Sequence, residues 1–456
     1  MKFDAITIGA GQANKPLSFA FADLGWKVAF IERAELGGSC VNTGCTPTKS
    51  MIACAQVAHY ARCGASWGVH ASSVSVDLPA IVARKNKIVH NHRAGIQKGV
   101  DNRPNIRLVR GSARFLAPHQ VQVGDETFES EKIIIDTGTQ PQIPKIPGID
   151  SVPYLTNASV MDLQEIPKHL LILGAGYIGL EFSQMFRRFG SHVTVIHNGS
   201  HILPAEEDDI TAALQNVLVG EGISLRLGAR TTRIENRSGE IVVTFDTSTG
   251  SEQIVCSHLL VATGRTPATR DLNLERAGIA TDDRGYIRTN SRMETNVPGV
   301  WAVGDVKGGP AFTHISYNDY QILYANLIEG KNLTIDHRYL PYALYTAPQL
   351  GRVGITEREA RARGKKFKMG TFPMTSVARA IENGETAGLM KIIVDAETDR
   401  ILGASILSSE GGELVQILGA MILADAPYTV LKGAVYIHPT LAEGFFGLMD
   451  SVKLVA

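Results

Sequence analysis

The chain contains 456 residues, and its 45 Lys and Arg residues balance its 45 Asp and Glu residues. This length exceeds what a single hydrophobic core supports and predicts roughly two to four domains. The net charge of zero argues against a nucleic acid or another polyanion as partner. Five cysteines do not form a secreted disulfide framework, and no signal peptide or apolar run of ~20 residues is present, so we expect a cytoplasmic protein without membrane spans.

The first predicted elements are a strand at residues 5–8, a glycine-rich turn and a helix. The turn from Gly9 and Gly11 to Asn14, with a second strand ending at Glu32, matches the βαβ fingerprint of dinucleotide-binding proteins. The glycines let the backbone approach a pyrophosphate, and Glu32 stands where ribose hydroxyls are read. Asn14 replaces the third glycine, which predicts a locally shifted helix or a lower affinity.

A pair of cysteines follows in a glycine-rich run. Cys40 and Cys45 lie so close in sequence that a disulfide can join them only if the backbone between them coils tightly. Gly44 permits such a coil. We predict Thr46 as the N-cap of the next helix and Pro47 as its first residue. Cys45 would then lie at a helix N-terminus, where a thiolate is stabilised. The pattern predicts a disulfide that opens and closes.

A second glycine motif follows the predicted strand at residues 170–173. Gly174, Gly176 and Gly179 lead into a helix and a strand that ends at His197. The distance from the last motif position to the strand tip is the same in both copies, from 14 to 32 and from 179 to 197, and two such copies are a strong signal. His197 replaces the acid that would favour NAD, so NADPH is preferred and NADH stays open.

Further signals follow each copy. Thr-Gly turns occur within residues 135–139 and 261–267, and a third strand ends at Asp305. From about residue 336 the pattern changes to strands and amphipathic helices without nucleotide signatures, which predicts a separate α+β interface domain. Two nucleotide sites and a redox dithiol together imply a relay. One nucleotide must be a flavin, because electron transfer from a nicotinamide to a disulfide needs an intermediary.

These motifs resemble class I flavoprotein disulfide reductases, the family of dihydrolipoamide dehydrogenase, glutathione reductase and mercuric reductase. The resemblance includes the cysteine run at 37–49, both nucleotide motifs and the segment 438–443. It implies an α/β fold with two Rossmann-like domains, for FAD and NAD(P), and a C-terminal α+β dimerisation domain. The implied domains are 1–146 with 270–335 for FAD, 147–269 for NAD(P) and 336–456 for dimerisation.

The resemblance implies catalytic roles for six residues: Cys40, Cys45, Lys49, Glu181, His438 and Glu443. Cys40 would be the interchange thiol that meets the substrate, and Cys45 the charge-transfer thiol against the flavin. His438 and Glu443 of one subunit would face Cys40 of the other in a homodimer. A histidine oriented by a carboxylate is the usual acid–base pair for thiol exchange.

The cofactor contacts are also implied by the resemblance. Lys49 would lie near the flavin and pair with Glu181, and Tyr177 would cover the nicotinamide pocket. The spacing of His and Cys residues predicts no metal site. The implied FAD contacts are Gly9, Gly11, Asn14, Glu32, Gly38, Ser39, Lys49, Ala113, Thr137, Gly138, Asp305 and His314, and the implied NAD(P) contacts are Gly174, Gly176, Tyr177, Gly179, Glu181, His197 and Gly264.

The electron acceptor is a small oxidant, a disulfide or a thiophilic metal. Segments 309–319 and 379–386 resemble mercuric reductases and also reductases of reactive chlorine and hypothiocyanous acid. The sequence lacks the vicinal C-terminal cysteine pair that receives the metal in a mercuric reductase, and His438 suits a thiol or oxidant better than a bare ion. The alternatives are a dihydrolipoamide dehydrogenase and a non-catalytic flavin-binding redox sensor.

Overall fold

The computed structural model describes residues 1–336 and 338–455. The first sheet has five parallel strands, of which the first two in the chain are buried along their whole length. Such buried, mostly apolar strands are typical of a parallel sheet that is covered on both faces. The elements up to residue 141 are β1 (Ala5–Ile8), α1 (Asn14–Asp23), β2 (Val28–Glu32), α2 (Gly38–Asn42), α3 (Cys45–Cys63), α4 (Leu78–Asp101), β3 (Ile106–Arg110), β4 (Ala113–Ala117), β5 (Gln120–Val123), β6 (Glu126–Glu129), β7 (Ile133–Ile135) and β8 (Thr139–Pro141).

A second parallel sheet of five strands repeats this arrangement, as the duplicated motif predicts. A three-stranded antiparallel sheet lies within the same stretch of chain. The elements up to residue 267 are β9 (Tyr154–Leu155), β10 (His169–Leu173), α5 (Tyr177–Phe189), β11 (His192–Ile196), α6 (Asp208–Gly220), β12 (Ser224–Arg226), β13 (Arg230–Arg237), β14 (Glu240–Thr247), β15 (Gly250–Cys256), β16 (His258–Val261) and β17 (Arg265–Pro267).

The next strand, β18 (Val300–Ala302), pairs with β7 and completes the first sheet. The rest of the chain forms a six-stranded antiparallel sheet with helices. In the described residues, no helix is both long and apolar enough to cross a membrane. The remaining elements are β18 (Val300–Ala302), α7 (Thr313–Leu327), β19 (Tyr342–Leu344), β20 (Gln349–Gly354), α8 (Glu357–Ala362), β21 (Phe367–Pro373), α9 (Ala378–Glu382), β22 (Leu389–Asp395), β23 (Ile401–Ser408), α10 (Gly411–Leu423), α11 (Thr429–Lys432), α12 (Gly444–Asp450) and β24 (Lys453–Leu454).

The strand orders confirm the predicted α/β fold. The two parallel sheets have the orders β18-β7-β1-β2-β3 and β12-β11-β10-β16-β9, and the C-terminal sheet has the order β19-β20-β23-β22-β21-β24. In both parallel sheets the strand before the glycine motif is central, so each glycine turn lies at the carboxyl edge where such sheets bind ligands. The domain boundaries stay predictions. β8 of the predicted FAD segment pairs with β17 of the predicted NAD(P) segment, so a two-stranded sheet joins the two segments.

Asn14 is accommodated at the packing point between α1 and the first sheet. Its side chain is fully buried, and Nδ2 donates hydrogen bonds of 3.1 Å to the carbonyl oxygens of Ile8 and Ile134. These two bonds hold the start of α1 against β1 and β7. An amide therefore occupies the place of the expected glycine by bonding to both strands.

Candidate active site

The two cysteines lie at the junction of two helices. Cys40 is in α2 and Cys45 is the first residue of α3. The prediction for the cap is wrong: Gly44, and not Thr46, precedes the helix, and Pro47 is its third residue. A Cβ at Gly44 would lie 2.8 Å from the Ser39 carbonyl oxygen, so only glycine allows α2 and α3 to approach this closely.

The environment of the cysteine pair makes the two thiols unequal. The hydrogen bond from Cys40 lowers the pKa of Cys45 to about 5, and the Thr313 hydroxyl and the Lys49 ammonium act in the same direction against burial. Thr313 Oγ1 lies 3.3 Å from Cys45 Sγ. The same hydrogen bond, followed by burial, raises the pKa of Cys40. At neutral pH the reduced pair therefore holds a thiolate at Cys45 and a proton at Cys40.

Lys49 and Glu181 join α3 to α5. Lys49 Nζ lies 2.8 Å and 3.0 Å from the two carboxylate oxygens of Glu181, whose side chain is buried. The backbone N–H of Tyr345 donates to the same carboxylate at 3.0 Å, and Lys49 Nζ lies 4.8 Å from the centroid of the Tyr345 ring. Because Cys45 and Lys49 are four residues apart on α3, the ammonium lies on the same helix face as the thiolate.

The first glycine turn is closely packed. Gly9 has a φ of +93°, and a Cβ there would lie 2.3 Å from the Asp136 carbonyl oxygen. A Cβ at Gly11 would lie 2.4 Å from Asp136 Oδ2, and one at Gly38 would lie 3.0 Å from the Gly11 Cα. The turn therefore leads to the N-terminus of α1 with α2 packed on it, the arrangement that binds a pyrophosphate.

The other predicted FAD contacts lie around this turn. Glu32 is nearly buried, and its two oxygens accept hydrogen bonds from the backbone N–H groups of Ala10 at 2.7 Å and Ala34 at 2.8 Å. Ser39 is exposed on α2. The side chain of Ala113 is buried in the apolar core, at the start of β4.

Asp305 lies near the turn that follows β7. Its carboxylate accepts a hydrogen bond from Thr139 at 3.1 Å, and Thr139 in turn accepts one from Arg265 Nε at 2.7 Å. Burial raises the pKa of Asp305, against the effect of Thr139 and Arg265. The intervening turn at 137–138 has Gly138 at a φ of +67°. His314 is the second residue of α7, where its exposed ring stacks on Phe312.

These residues fit FAD. The glycine turn and the N-terminus of α1 suit a pyrophosphate, a buried carboxylate at Glu32 suits ribose hydroxyls, and Asp305 supplies an acceptor for a polyol chain. When bound, FAD supplies the two-electron chemistry that connects a nicotinamide with a dithiol.

The second glycine turn has the same backbone form. Gly174 has a φ of +107°, and a Cβ there would lie 2.4 Å from the Ala262 carbonyl oxygen. A Cβ at Gly179 would lie 2.0 Å from the Gly174 carbonyl oxygen, whereas Gly176 has nothing within 4 Å. Gly264 has a φ of +137° in the facing turn. This turn therefore suits a second dinucleotide.

Tyr177 begins α5 and is anchored by a buried carboxylate. Its hydroxyl donates to Glu206 Oε1 at 2.5 Å, and Tyr342 of the C-terminal sheet donates to the same oxygen at 2.7 Å. The rings of Tyr177 and Tyr342 meet edge to face with centroids 5.8 Å apart. The predicted nicotinamide lid is therefore tied to the C-terminal part of the chain.

His197 follows β11 at the predicted ribose-reading position. Burial lowers the pKa of its half-buried ring, so the ring is neutral at pH 7. Its Nε2 is buried and has no hydrogen-bond partner among residues 1–336 and 338–455. A Cβ at Gly199 would lie 2.7 Å from that nitrogen, so the loop folds directly over the ring.

His438 lies on an exposed C-terminal arm, defined here as residues 433–440, and pairs with Glu443, which follows the arm. His438 Nδ1 lies 3.0 Å and 3.1 Å from the carboxylate oxygens of Glu443. The backbone N–H of Thr440, followed by His438, lowers the pKa of Glu443. The His438 side chain is 71% exposed, and Val435 and Ile437 beside it are 98% and 79% exposed.

Sequence reasoning missed several residues of these sites. Thr313 contacts Cys45 across 268 positions of sequence, and Glu206 joins Tyr177 to Tyr342. Only the position of Thr313 beside His314 was a possible signal. Long-range contacts of this kind leave no spacing pattern in the chain.

Comparison with known proteins agrees with this geometry. The family of pyridine nucleotide-disulphide oxidoreductases matches residues 3–319, and the dimerisation domain of the same family matches residues 340–447. The sequence is 37% identical to a probable pyridine nucleotide-disulfide oxidoreductase, RclA, of Escherichia coli, over 99% of this chain and 100% of that protein. It is 36% identical to a dihydrolipoyl dehydrogenase of Thermus scotoductus, over 99% and 97% of the two chains.

Two further similarities bear on the reaction. A mercuric reductase of Lysinibacillus sphaericus is 33% identical over 97% of this chain and 81% of that protein. The solved structure of the Cu(II) complex of the HOCl-induced flavoprotein disulfide reductase RclA of Escherichia coli aligns with a TM-score of 0.91 and 36% identity, over 99% of this chain and 100% of that chain. The family resemblance predicted from the motifs is confirmed.

The unequal cysteines lead to a spectroscopic prediction. In the reduced protein with bound FAD, the Cys45 thiolate should give long-wavelength charge-transfer absorbance that is lost on acidification through about pH 5, where the thiolate takes up a proton. Cys45→Ser should abolish this absorbance at every pH, whereas Cys40→Ser should show it without reduction. Absorbance spectra from pH 4 to 8 measure it, and identical spectra for the two variants would contradict the assigned roles.

Proposed function

The chain belongs to the pyridine nucleotide-disulphide oxidoreductase family, and we propose that it transfers electrons from NADPH through FAD to Cys40 and Cys45 and then to a small oxidant or disulfide. The family implies FAD and a pyridine nucleotide as cofactors, and its dimerisation domain supports a homodimer. With a disulfide substrate, one NADPH and one proton yield NADP⁺ and two thiols.

The pKa difference between the two cysteines carries this proposal. Because the Cys45 thiolate is held by Cys40 and Thr313, its charge is stabilised beside Lys49 on the same helix. Cys40 keeps the proton until it attacks a substrate sulfur as a thiolate, forming a mixed disulfide and releasing one thiol. Cys45 then attacks Cys40, which closes the internal disulfide and releases the second thiol.

The proton steps are assigned to His438 and Glu443. Glu443 holds His438 through Nδ1, which leaves Nε2 to accept the Cys40 proton and to give a proton to the leaving thiolate. Since His438 is exposed on the C-terminal arm beside Val435 and Ile437, we assign the contact with Cys40 to the partner subunit of the dimer.

The acceptor is best found by comparing substrates directly. We would measure acceptor-dependent loss of NAD(P)H with glutathione disulfide, lipoamide, hypothiocyanite, Hg²⁺ and Cu²⁺. The metals and the oxidant are included because one similar structure is the Cu(II) complex of an HOCl-induced reductase and one relative is a mercuric reductase. We expect turnover with a disulfide or oxidant that disappears in Cys40→Ser. Turnover that is unchanged in this variant would contradict a reaction at the dithiol.

The second candidate function is that of a dihydrolipoyl dehydrogenase, favoured by the 36% identical relative of Thermus scotoductus. The absence of an acid at His197 counts against it, because that position would read the ribose of NAD. Rates of NAD⁺ reduction by dihydrolipoamide, compared with rates of disulfide reduction by NADPH, separate the two.

The cofactor preference leads to a second prediction. His197→Glu should raise the KM for NADPH by about tenfold or more, because the new carboxylate repels a 2′-phosphate, while use of NADH holds or improves. His192→Glu places the same charge at the opposite end of β11 and serves as the control. Steady-state kinetics with both nucleotides measure the effect, and a wild type that prefers NADH by tenfold would reverse the assignment.

The shared active site leads to a third prediction. His438→Ala should slow turnover with a disulfide by ~10²-fold or more, the scale of general acid–base catalysis, and leave flavin reduction by NADPH largely intact. Mixing His438→Ala chains with Cys40→Ser chains should restore about one competent site in each heterodimer, relative to the two inactive parent dimers. Mixtures that stay inactive after verified subunit exchange would show that the site lies within one chain.

A further inference from the structure

A buried carboxyl group lies inside the first glycine turn. Asp136 directly follows β7, and the residue is 6% exposed. Its Oδ2 accepts hydrogen bonds from the backbone N–H groups of Ala13 at 3.1 Å and Asn14 at 3.0 Å, at the N-terminus of α1. Both bonds reach the same oxygen, which leaves Oδ1 for another partner. Asp136 therefore packs directly against the glycine turn that would carry a pyrophosphate.

Two further carboxylates lie around Asp136. Residues 9–14 of the turn and of α1 carry no charged side chain, the turn after β18 carries Asp305, and α7 carries Asp319. Lys307 Nζ lies 3.1 Å from the Asp319 carboxylate, and Arg338 also forms a salt bridge with Asp319. Burial raises the pKa of Asp136 well above its usual range, and the two neighbouring carboxylates add to the effect against the two N–H bonds.

We propose that Asp136 is a positioning residue for FAD, which holds the glycine turn as a neutral carboxylic acid and loosens FAD when it ionises. The inference rests on the proposed function in one respect, that FAD binds at the first glycine turn. A neutral carboxyl can accept the two N–H bonds at Oδ2 and still donate its own proton. A carboxylate at the same place would repel the pyrophosphate in surroundings that exclude water.

The proposal links FAD retention to a proton. As the pH rises, the carboxyl of Asp136 loses its proton to solvent while the two N–H bonds to α1 persist, so the turn keeps its shape but gains a negative charge. Since ligand and proton affect each other's affinity equally, FAD must also hold the proton on Asp136. Between the pKa of Asp136 in the free protein and its higher pKa in the FAD complex, the affinity for FAD should fall by up to about tenfold per pH unit, and above the higher pKa it should level off.

The test compares the release of FAD from wild type and from Asp136→Asn. The amide has the same shape, accepts the same N–H bonds and carries no charge at any pH. We measure the rate of FAD release by the recovery of flavin fluorescence, from pH 6 to pH 9.5, on the purified full-length protein. The ratio of the wild-type rate to the variant rate should be near one at pH 6 and reach tenfold or more at pH 9.5.

Two other variants separate charge from shape. Asp136→Ser gives a second uncharged side chain, so its profile should also be flat even if its FAD is weaker at every pH. Asp150→Asn removes an exposed carboxylate elsewhere and should follow the wild-type profile. If neither Asp136 variant folds, the wild-type profile decides, since a release rate independent of pH would by itself overturn the proposal.

The outcomes are distinguishable from failure of the proposed function. A ratio of one across the whole range, or faster release from Asp136→Asn, would overturn the role of Asp136 alone. A wild type that binds no flavin after reconstitution would overturn the assignment of FAD to the first turn.

Discussion

One proton shared between Cys40 and Cys45 sets the chemistry of the centre. Cys45 is a thiolate because Cys40 and Thr313 donate to it at the first turn of α3, and Cys40 stays protonated for the same reason. The arrangement requires α2 and α3 to approach each other closely, which glycine at position 44 permits beside the Ser39 carbonyl. The glycine therefore lets the helices bring Cys40 next to Cys45, where Cys40 and Thr313 stabilise the charge on Cys45.

The helix α3, which begins at Cys45, is held in place by α5, the helix that follows the central strand of the second parallel sheet. Met51 and Ala55 on α3 pack in one apolar cluster with Phe182 and Phe186 of α5, and Lys49 bonds to Glu181 on the same pair of helices. The thiols are thus fixed relative to both glycine turns. Electron transfer from one dinucleotide to another and then to a dithiol needs this fixed geometry, because its rate depends on how the reacting groups are positioned.

The sequence predicted what is encoded locally and missed what is formed by distant segments. The glycine turns and Cys45 at a helix N-terminus follow from short motifs, because glycine conformation and helix ends are properties of a few neighbouring residues. A hydroxyl residue before Pro predicts the cap at Thr46, yet tertiary packing against Ser39 selects Gly44. Thr313 is brought to Cys45 only by α7, and no local pattern reports such a contact.

The two glycine turns share a backbone form but differ in how they are enclosed. At the first turn, α2 packs against Gly11, and Glu32 is tied to the backbone on both oxygens. At the second turn, Gly176 faces open space. An enclosed site retains its ligand and an open one exchanges it. This difference supports a resident FAD at the first turn and a nicotinamide that arrives and leaves at the second.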